Sequence, residues 1–203
     1  MQISSKKFDW GLALRGVGMS HVIRALGPQT WEAYAALIAR HNGVWGGCWC
    51  MGFHEKGPSW GKSPDGNRAE KQALVAAGRA HAALVFDGET CVGWCQYGPP
   101  AELPRIKHRK ALGGEVLPDW RITCFFVDKA ARGQGVAEAA LNGALGLIAQ
   151  AGGGVVDSMP EEAGERKVSG SLLWNAEVGM FDRAGFERVR KLGKNAWLVR
   201  KVV

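Results

Sequence analysis

Six consecutive residues, Arg132-Gly133-Gln134-Gly135-Val136-Ala137, hold the clearest chemistry in the chain. They lie between an apolar run, WRITCFFV at 120–127, and a stretch in which Leu141, Leu145 and Ile148 recur at helical spacing. A turn so bare of side chains at a helix start is suited to an anion. Glycine lets main-chain N–H groups approach closely, and the unpaired amides of the first helical turn add the positive end of the helix dipole. Two other readings of these residues stay open at this point. Gly133-Gln134-Gly135 with Asp157 about 20 residues on has part of a dinucleotide-binding fingerprint, although Glu138 stands where its third glycine belongs. A glycine-containing loop without a ligand is the other.

Two further groups invite a reading. Cys48-Trp49-Cys50 with His54 offers three metal ligands, one short of a structural zinc site, and no second Cys pair accompanies it. No metal is therefore expected, and these residues read as buried thiols and aromatics beside a cleft. Arg105, Lys107, His108, Arg109 and Lys110 form the one dense basic run; it reads as a solvated loop, with an acidic acceptor as the functional alternative.

The whole chain sets bounds on these choices. At 203 residues, 46% apolar and 22% charged, it suits one domain with a core of its own. No apolar stretch approaches the roughly 20 residues of a membrane span, and Met1–Ser20 lacks the pattern of a secretory leader, so a cytoplasmic protein is expected, with no membrane partner. Five cysteines with no paired CxxC motifs read as free thiols. The net charge of +7 favours anionic partners, but its dispersal suits a polyanionic cofactor as well as it suits DNA or RNA, and nucleic acid is not expected.

The elements that must position the glycine turn follow from periodicity and punctuation. His21–Leu26 reads as a strand, and 31–40 as a helix through Trp31, Tyr34, Ala35, Leu37 and Ile38, with Thr30 as cap. A loop at 43–66 is too rich in Gly, Pro and Trp for a regular element. A second helix is expected from Asn67, with Glu70 completing a capping box, to near Gly78. HAALVF and TCVGWCQY form a hairpin about Asp87-Gly88. After a second loop at 98–118 come WRITCFFV as a strand buried on both faces, a helix at 135–150, the strand VVDSM, a helix at 175–184 capped by Asn175, and the strands FERVRK and AWLVRKVV. This order implies a mixed α/β sheet flanked by helices.

With these elements in place, the chain resembles the GNAT acetyltransferase superfamily. Arg132, Gly135 and Ala137 match its pyrophosphate signature Q/R-x-x-G-x-G/A. Val127 ends the preceding strand five residues before the signature Arg, and FDRAGF (181–186) is similar to the family's aromatic-led helix ending in Gly-Phe. The resemblance covers 20–203 as a single domain and leaves 1–19 as an N-terminal extension. It implies a mostly antiparallel sheet of six or seven strands with about four helices and a splayed central strand pair. It further implies an N-acetyltransferase with acetyl-CoA as co-substrate and a primary amine, on a small molecule or a protein, as acceptor. A homodimer stays open. Phe125, Phe126 and Val127 would contact pantetheine and thioester, an amide near Phe125 or Phe126 would meet the oxyanion, and Arg132, Gly133, Gln134, Gly135, Val136 and Ala137 would hold the diphosphate. The acceptor would lie between the 43–67 and 98–118 loops, where Trp45, Trp49, Phe53 and Trp60 suggest an aromatic cleft.

The family's catalytic groups do not carry over. The Tyr that often protonates the leaving thiolate corresponds to Phe181, which has no proton to give; Trp174 holds the spacing of a frequent Asn, with Asn175 one residue late; and Arg121 stands near the strand carboxylate of some members. Glu115, Asp119 and Tyr97 are the substitute catalytic candidates, with solvated or half-buried structural roles as the alternative for each. Protonation of the thiolate by water is a further route, since a thiol of pKa near ~8.5 leaves readily.

Overall fold

The computed structural model describes residues 21–58, 63–163 and 174–203. The N-terminal extension at 1–19 and Trp60 lie outside the described residues. Seven strands form one sheet in the order β1-β2-β3-β4-β5-β7-β6: β1 (Val22–Ala25), β2 (His81–Asp87), β3 (Thr90–Gly98), β4 (Trp120–Val127), β5 (Val155–Ser158), β6 (Glu187–Lys191) and β7 (Trp197–Val202). Every neighbouring pair is antiparallel except β4 and β5.

Side-chain alternation along the central strands builds two cores. Ala83, Val85 and Cys95 face α3 (Val136–Gln150) and α4 (Val178–Arg183), joining Leu141, Ile148 and Phe181. Leu84, Phe86 and Trp94 face the other way and pack with Trp31, Tyr34 and Ile38 of α1 (Trp31–Arg40), and with Val75 of α2 (Pro64–Ala76). Gly93 on β3 allows the start of α3 to sit close: a Cβ there would lie 2.6 Å from Val136 Cγ1 and 2.9 Å from the Phe126 carbonyl. Among the described residues no helix is long and apolar enough to cross a membrane.

Three local expectations are corrected. Helix α2 begins at Pro64 rather than Asn67, because Ser63 caps it by accepting from the Gly66 N–H (3.1 Å) and Pro64 fits the first helical position. The Asn67 side chain instead donates to the Gly47 carbonyl (2.7 Å) and ties down the preceding loop. The hairpin turn is Gly88-Glu89, since Asp87 pairs with Thr90; Gly88 at φ +55° takes the position that needs glycine. Helix α4 starts at Val178, with Asn175 donating to the Met159 carbonyl (3.1 Å) and not acting as a cap.

Candidate active site

The parallel β4–β5 pairing stops early. Trp120, Arg121 and Ile122 pair with Val156, Asp157 and Ser158, after which β4 runs on to Val127 through five residues with no β5 partner. The Asp128 N–H bonds to the Val92 carbonyl across to β3, which fixes the alternation of the ladder: Phe126 and Cys124 turn their main-chain groups toward β3, Phe125 and Val127 toward the gap. The Phe125 N–H is already engaged, donating to the Trp174 carbonyl at 2.7 Å. The amide expected to meet an oxyanion at Phe125 or Phe126 is thus bonded in one case and faces β3 in the other; Val127 offers the strand N–H aimed into the gap.

Beside that gap, Asp128 caps a short 3-10 turn (Lys129–Ala131), accepting from the Ala130 N–H at 3.1 Å. The chain then bends through Gly133 and Gly135, at φ +74° and +76°, conformations that favour glycine. No heavy atom lies within 4 Å of a Cβ built at either residue, so the turn is open. Gly135 is the N-cap of α3 and gives no side-chain cap, which leaves the first-turn amides for an outside acceptor.

The strand end and the turn share one cavity of about 740 Å³, lined by Phe125, Phe126, Val127, Arg132, Gly133, Gly135, Val136 and Ala137 among others. Gln134 is the signature residue not on its wall; it is exposed, and its side chain donates back to the Ala130 carbonyl (3.1 Å). Four described lining side chains are cationic (Arg40, Lys129, Arg132, Arg183) and two are carboxylates (Glu138, Glu177), a balance suited to an anion. Glu138 is answered by Arg183 at 3.0 Å and Arg40 by Asp128 at 3.1 Å, whereas Lys129 and Arg132 have no ion-pair partner among the described residues.

None of the three catalytic candidates reaches this cavity. Glu115 is paired with Arg190 at 2.9 Å, and Asp119 accepts from the Val155 N–H at 2.7 Å, which fixes the start of β5. Asp119 precedes β4 and so sits about 20 Å along the strand from Phe125. Tyr97 pairs with Ile122, three residues short of Phe125, and packs on His81 and Trp120; burial, with the Cys95 thiol beside it, raises its phenol above the ordinary range. Arg121 is buried and donates to the Leu103 carbonyl (2.9 Å). Phe181 is fully buried, edge-on to Phe125 and Phe186 at 6.0 and 5.0 Å, and does not line the cavity.

A second cavity of about 570 Å³ has Trp45 in common with the first, on the wall of both. Its walls come from the two loops expected to hold the acceptor, through Trp45, Phe53 and Glu55 from one and Arg105, Ile106 and Arg109 from the other. Trp45 itself lies at φ +44° in a segment where Asn42, Val44, Trp49 and Cys50 are also left-handed, a costly backbone for non-glycine residues.

Behind this cavity lies a polar cluster that the sequence reading missed. Lys71, 1% exposed, contacts His54 Nε2 at 2.9 Å and donates to the Cys50 carbonyl at 3.4 Å. His54 Nδ1 faces the Glu102 carbonyl (3.1 Å) and so carries the ring proton, leaving Nε2 to accept from Lys71 and from Gln96 Nε2 (2.9 Å). Burial, then the Lys71 charge, lowers the His54 pKa to about 2. Both ring nitrogens of His54 are therefore committed to this cluster. The available sequence signal was Asn67-Lys71-Val75, a lysine on the buried i, i+4, i+8 stripe of α2.

A sheet parted at its middle lies beside an open helix start whose first-turn amides have no side-chain cap. The chain belongs to the acetyltransferase (GNAT) family, whose model matches residues 49–159, more than half its length. Solved structures share the fold. The GNAT domain of S. lividans PAT is 14% identical, with 96% of this chain and 97% of that one covered at a TM-score of 0.54. PaiA N-acetyltransferase from Thermoplasma acidophilum, solved in complex with coenzyme A, is 12% identical over 91% and 100% at 0.50. An N-acetyltransferase from Staphylococcus aureus Mu50 is 13% identical over 90% and 97%, also at 0.50. No curated protein matches the sequence.

Proposed function

We propose that the protein is an N-acetyltransferase that moves acetyl from acetyl-CoA to a primary amine of a small molecule or a protein, with 20–203 acting as one domain and 1–19 as an extension. The observation that carries this reading is the open turn at Gly133 and Gly135 sharing a cavity with the unpaired end of β4. The residues fit the ligand: bare first-turn amides and uncommitted cations for the diphosphate, and strand groups turned into a gap where an extended pantetheine amide can bond as an added strand would.

In this reading the main-chain amides from Arg132 to Ala137, Gln134 included, hold the diphosphate, with the Arg132 and Lys129 side chains adding charge. Phe125, Phe126 and Val127 line the arm and the thioester, and the Val127 N–H is the donor nearest the developing oxyanion. The acceptor enters through the second cavity, and its amine, ordinarily protonated with a pKa near ~10.4, must shed a proton before attack.

The test is a thiol-release assay with acetyl-CoA against spermidine, tryptamine and a lysine-containing peptide. Release above background with any of them supports transfer. Tight acetyl-CoA binding without release from a wide amine panel favours a second reading, a module that holds the thioester without turning it over; the buried, hydroxyl-free Phe181 gives that reading its footing.

A further inference from the structure

The second cavity has apolar walls and a lopsided charge. Trp45, Phe53, Pro104, Ile106 and Trp174 supply rings and hydrocarbon, while Arg105, Lys107 and Arg109 stand against the single carboxylate of Glu55. Lys107 is committed, lying 3.4 Å from a Glu161 oxygen and 4.0 Å from the centroid of the Trp174 ring. Arg105, Arg109 and Glu55 have no ion-pair partner among the described residues, so the carboxylate cancels neither guanidinium by contact. An exposed, unpaired arginine is ordinarily just solvated. Here two of them bound a cavity whose volume and apolar lining suit a small molecule.

The wall that carries these arginines is held in place. The Arg105 N–H donates to the Phe53 carbonyl at 3.1 Å and His54 Nδ1 to the Glu102 carbonyl at 3.1 Å, which stitches the 98–118 loop to the 43–66 loop at two points. His54 is itself fixed from behind by Lys71 and Gln96. The Arg105 guanidinium packs against Gly57, where a Cβ would lie 3.0 Å from Cζ. Nearness to the thioester segment is met by other residues of the same cavity. Trp45 also lines the first cavity, the Trp174 carbonyl accepts from the Phe125 N–H, and Cys124 precedes Phe125 on β4. Arg109 instead borders a further cavity of about 460 Å³ that none of those three residues lines. The charge and the end nearest the thioester are thus on different parts of the wall.

We propose, resting on the acetyltransferase reading above, that the acceptor is a small primary amine on an aromatic or apolar body that carries an anionic group, carboxylate or phosphate, set apart from the amine. Arg105 and Arg109 are the specificity-determining residues that bind this group. The apolar body covers the faces of Trp45, Phe53 and Trp174, and a guanidinium fork meets two oxygens of one anion at once. A polyamine is disfavoured, because three cations repel it and Glu55 alone answers it.

The test compares matched amines: para-(aminomethyl)benzoate and para-(aminomethyl)phenylphosphonate against benzylamine, and tryptophan against tryptamine. Each is titrated by calorimetry into the CoA-loaded protein and assayed for thiol release from acetyl-CoA. At least one anionic member should bind about 10- to 150-fold more tightly than its parent, the worth of one hydrogen bond to a charged group, and should release thiol. The better of benzoate and phosphonate tells which anion the arginines take. Replacing both exposed arginines, Arg105→Gln with Arg109→Gln, should erase the preference and leave the affinities for CoA and for the parent amines unchanged. No preference in any pair, or no binding of any anionic member at about 1 mM, overturns the proposal; thiol release from a parent amine then leaves the acetyltransferase reading standing. A preference that survives the double variant overturns the role of the arginines, and a loss of CoA affinity in that variant overturns it by placing them in the cofactor site. Preferential binding without thiol release overturns the anionic amine as acceptor. Failure of wild type to bind acetyl-CoA removes the underlying reading and this proposal together.

Discussion

Gly135→Ala separates the cost of backbone strain from the cost of crowding a diphosphate. Gly135 sits at φ +76° with no atom within 4 Å of a Cβ, so alanine meets no clash in the free protein and the penalty is the left-handed backbone alone, about 1–2 kcal/mol. For a chain of this length that lowers the melting temperature by about 2–8 °C. Binding should suffer separately, because the new methyl group projects into the open turn where a phosphate oxygen must meet a main-chain N–H. Losing one hydrogen bond to a charged group costs about 1.5–3 kcal/mol, which weakens CoA about 10- to 150-fold. Gly88 supplies the control: it has φ +55°, equally open surroundings and a place at the hairpin tip. Calorimetric titration of CoA into Gly135→Ala, Gly88→Ala and wild type, alongside thermal melts, reads both quantities. The expected pattern is a similar loss of stability in both variants and a loss of affinity in Gly135→Ala alone. Equal CoA affinities for the two variants, within twofold, would refute the reasoning.

Phe181→Tyr should not create a catalyst, because the ring is fully buried between Phe125 and Phe186 and away from the cavity; the added hydroxyl, left without a partner, should lower stability by about 1–3 kcal/mol in urea unfolding, with no gain in thiol release. Acid should weaken the fold through His54. Its folded pKa of about 2 lies below the unfolded 6.5, so the unfolded chain binds the extra proton and stability falls as pH drops below 6.5. The loss between pH 7.5 and pH 5 is about 2 kcal/mol, visible as a lower urea midpoint, and His54→Gln should remove that part of the slope.

Contiguous signals carried over from sequence to structure and dispersed ones did not. The α1 stripe, the central strand and RGQGVA each lie within one stretch of chain, so periodicity and glycine placement suffice to read them. The start of α2 was misplaced because Asn67 and Glu70 mimic a capping box, although Ser63-Pro64 carries the ordinary signature of a helix start. Asn175 misled in a similar way, its amide being spent on the Met159 carbonyl. The substitute catalytic groups were sought near β4 in sequence, yet Glu115 and Asp119 lie before the strand begins, whereas the unpaired segment is at its far end. The Cys50–His54–Lys71–Gln96–Thr123 cluster draws on a loop, a helix and two strands, and only the folded sheet brings these together.

Amide-resolved NMR of the ¹⁵N-labelled protein during a CoA titration tests the central claim most directly. The account predicts that the backbone amides of 132–137 and of Val127 shift and saturate together, while those around Glu115 and Asp119 hold still. Saturable binding that moves the 105–119 loop and leaves the 132–137 amides unchanged would contradict it.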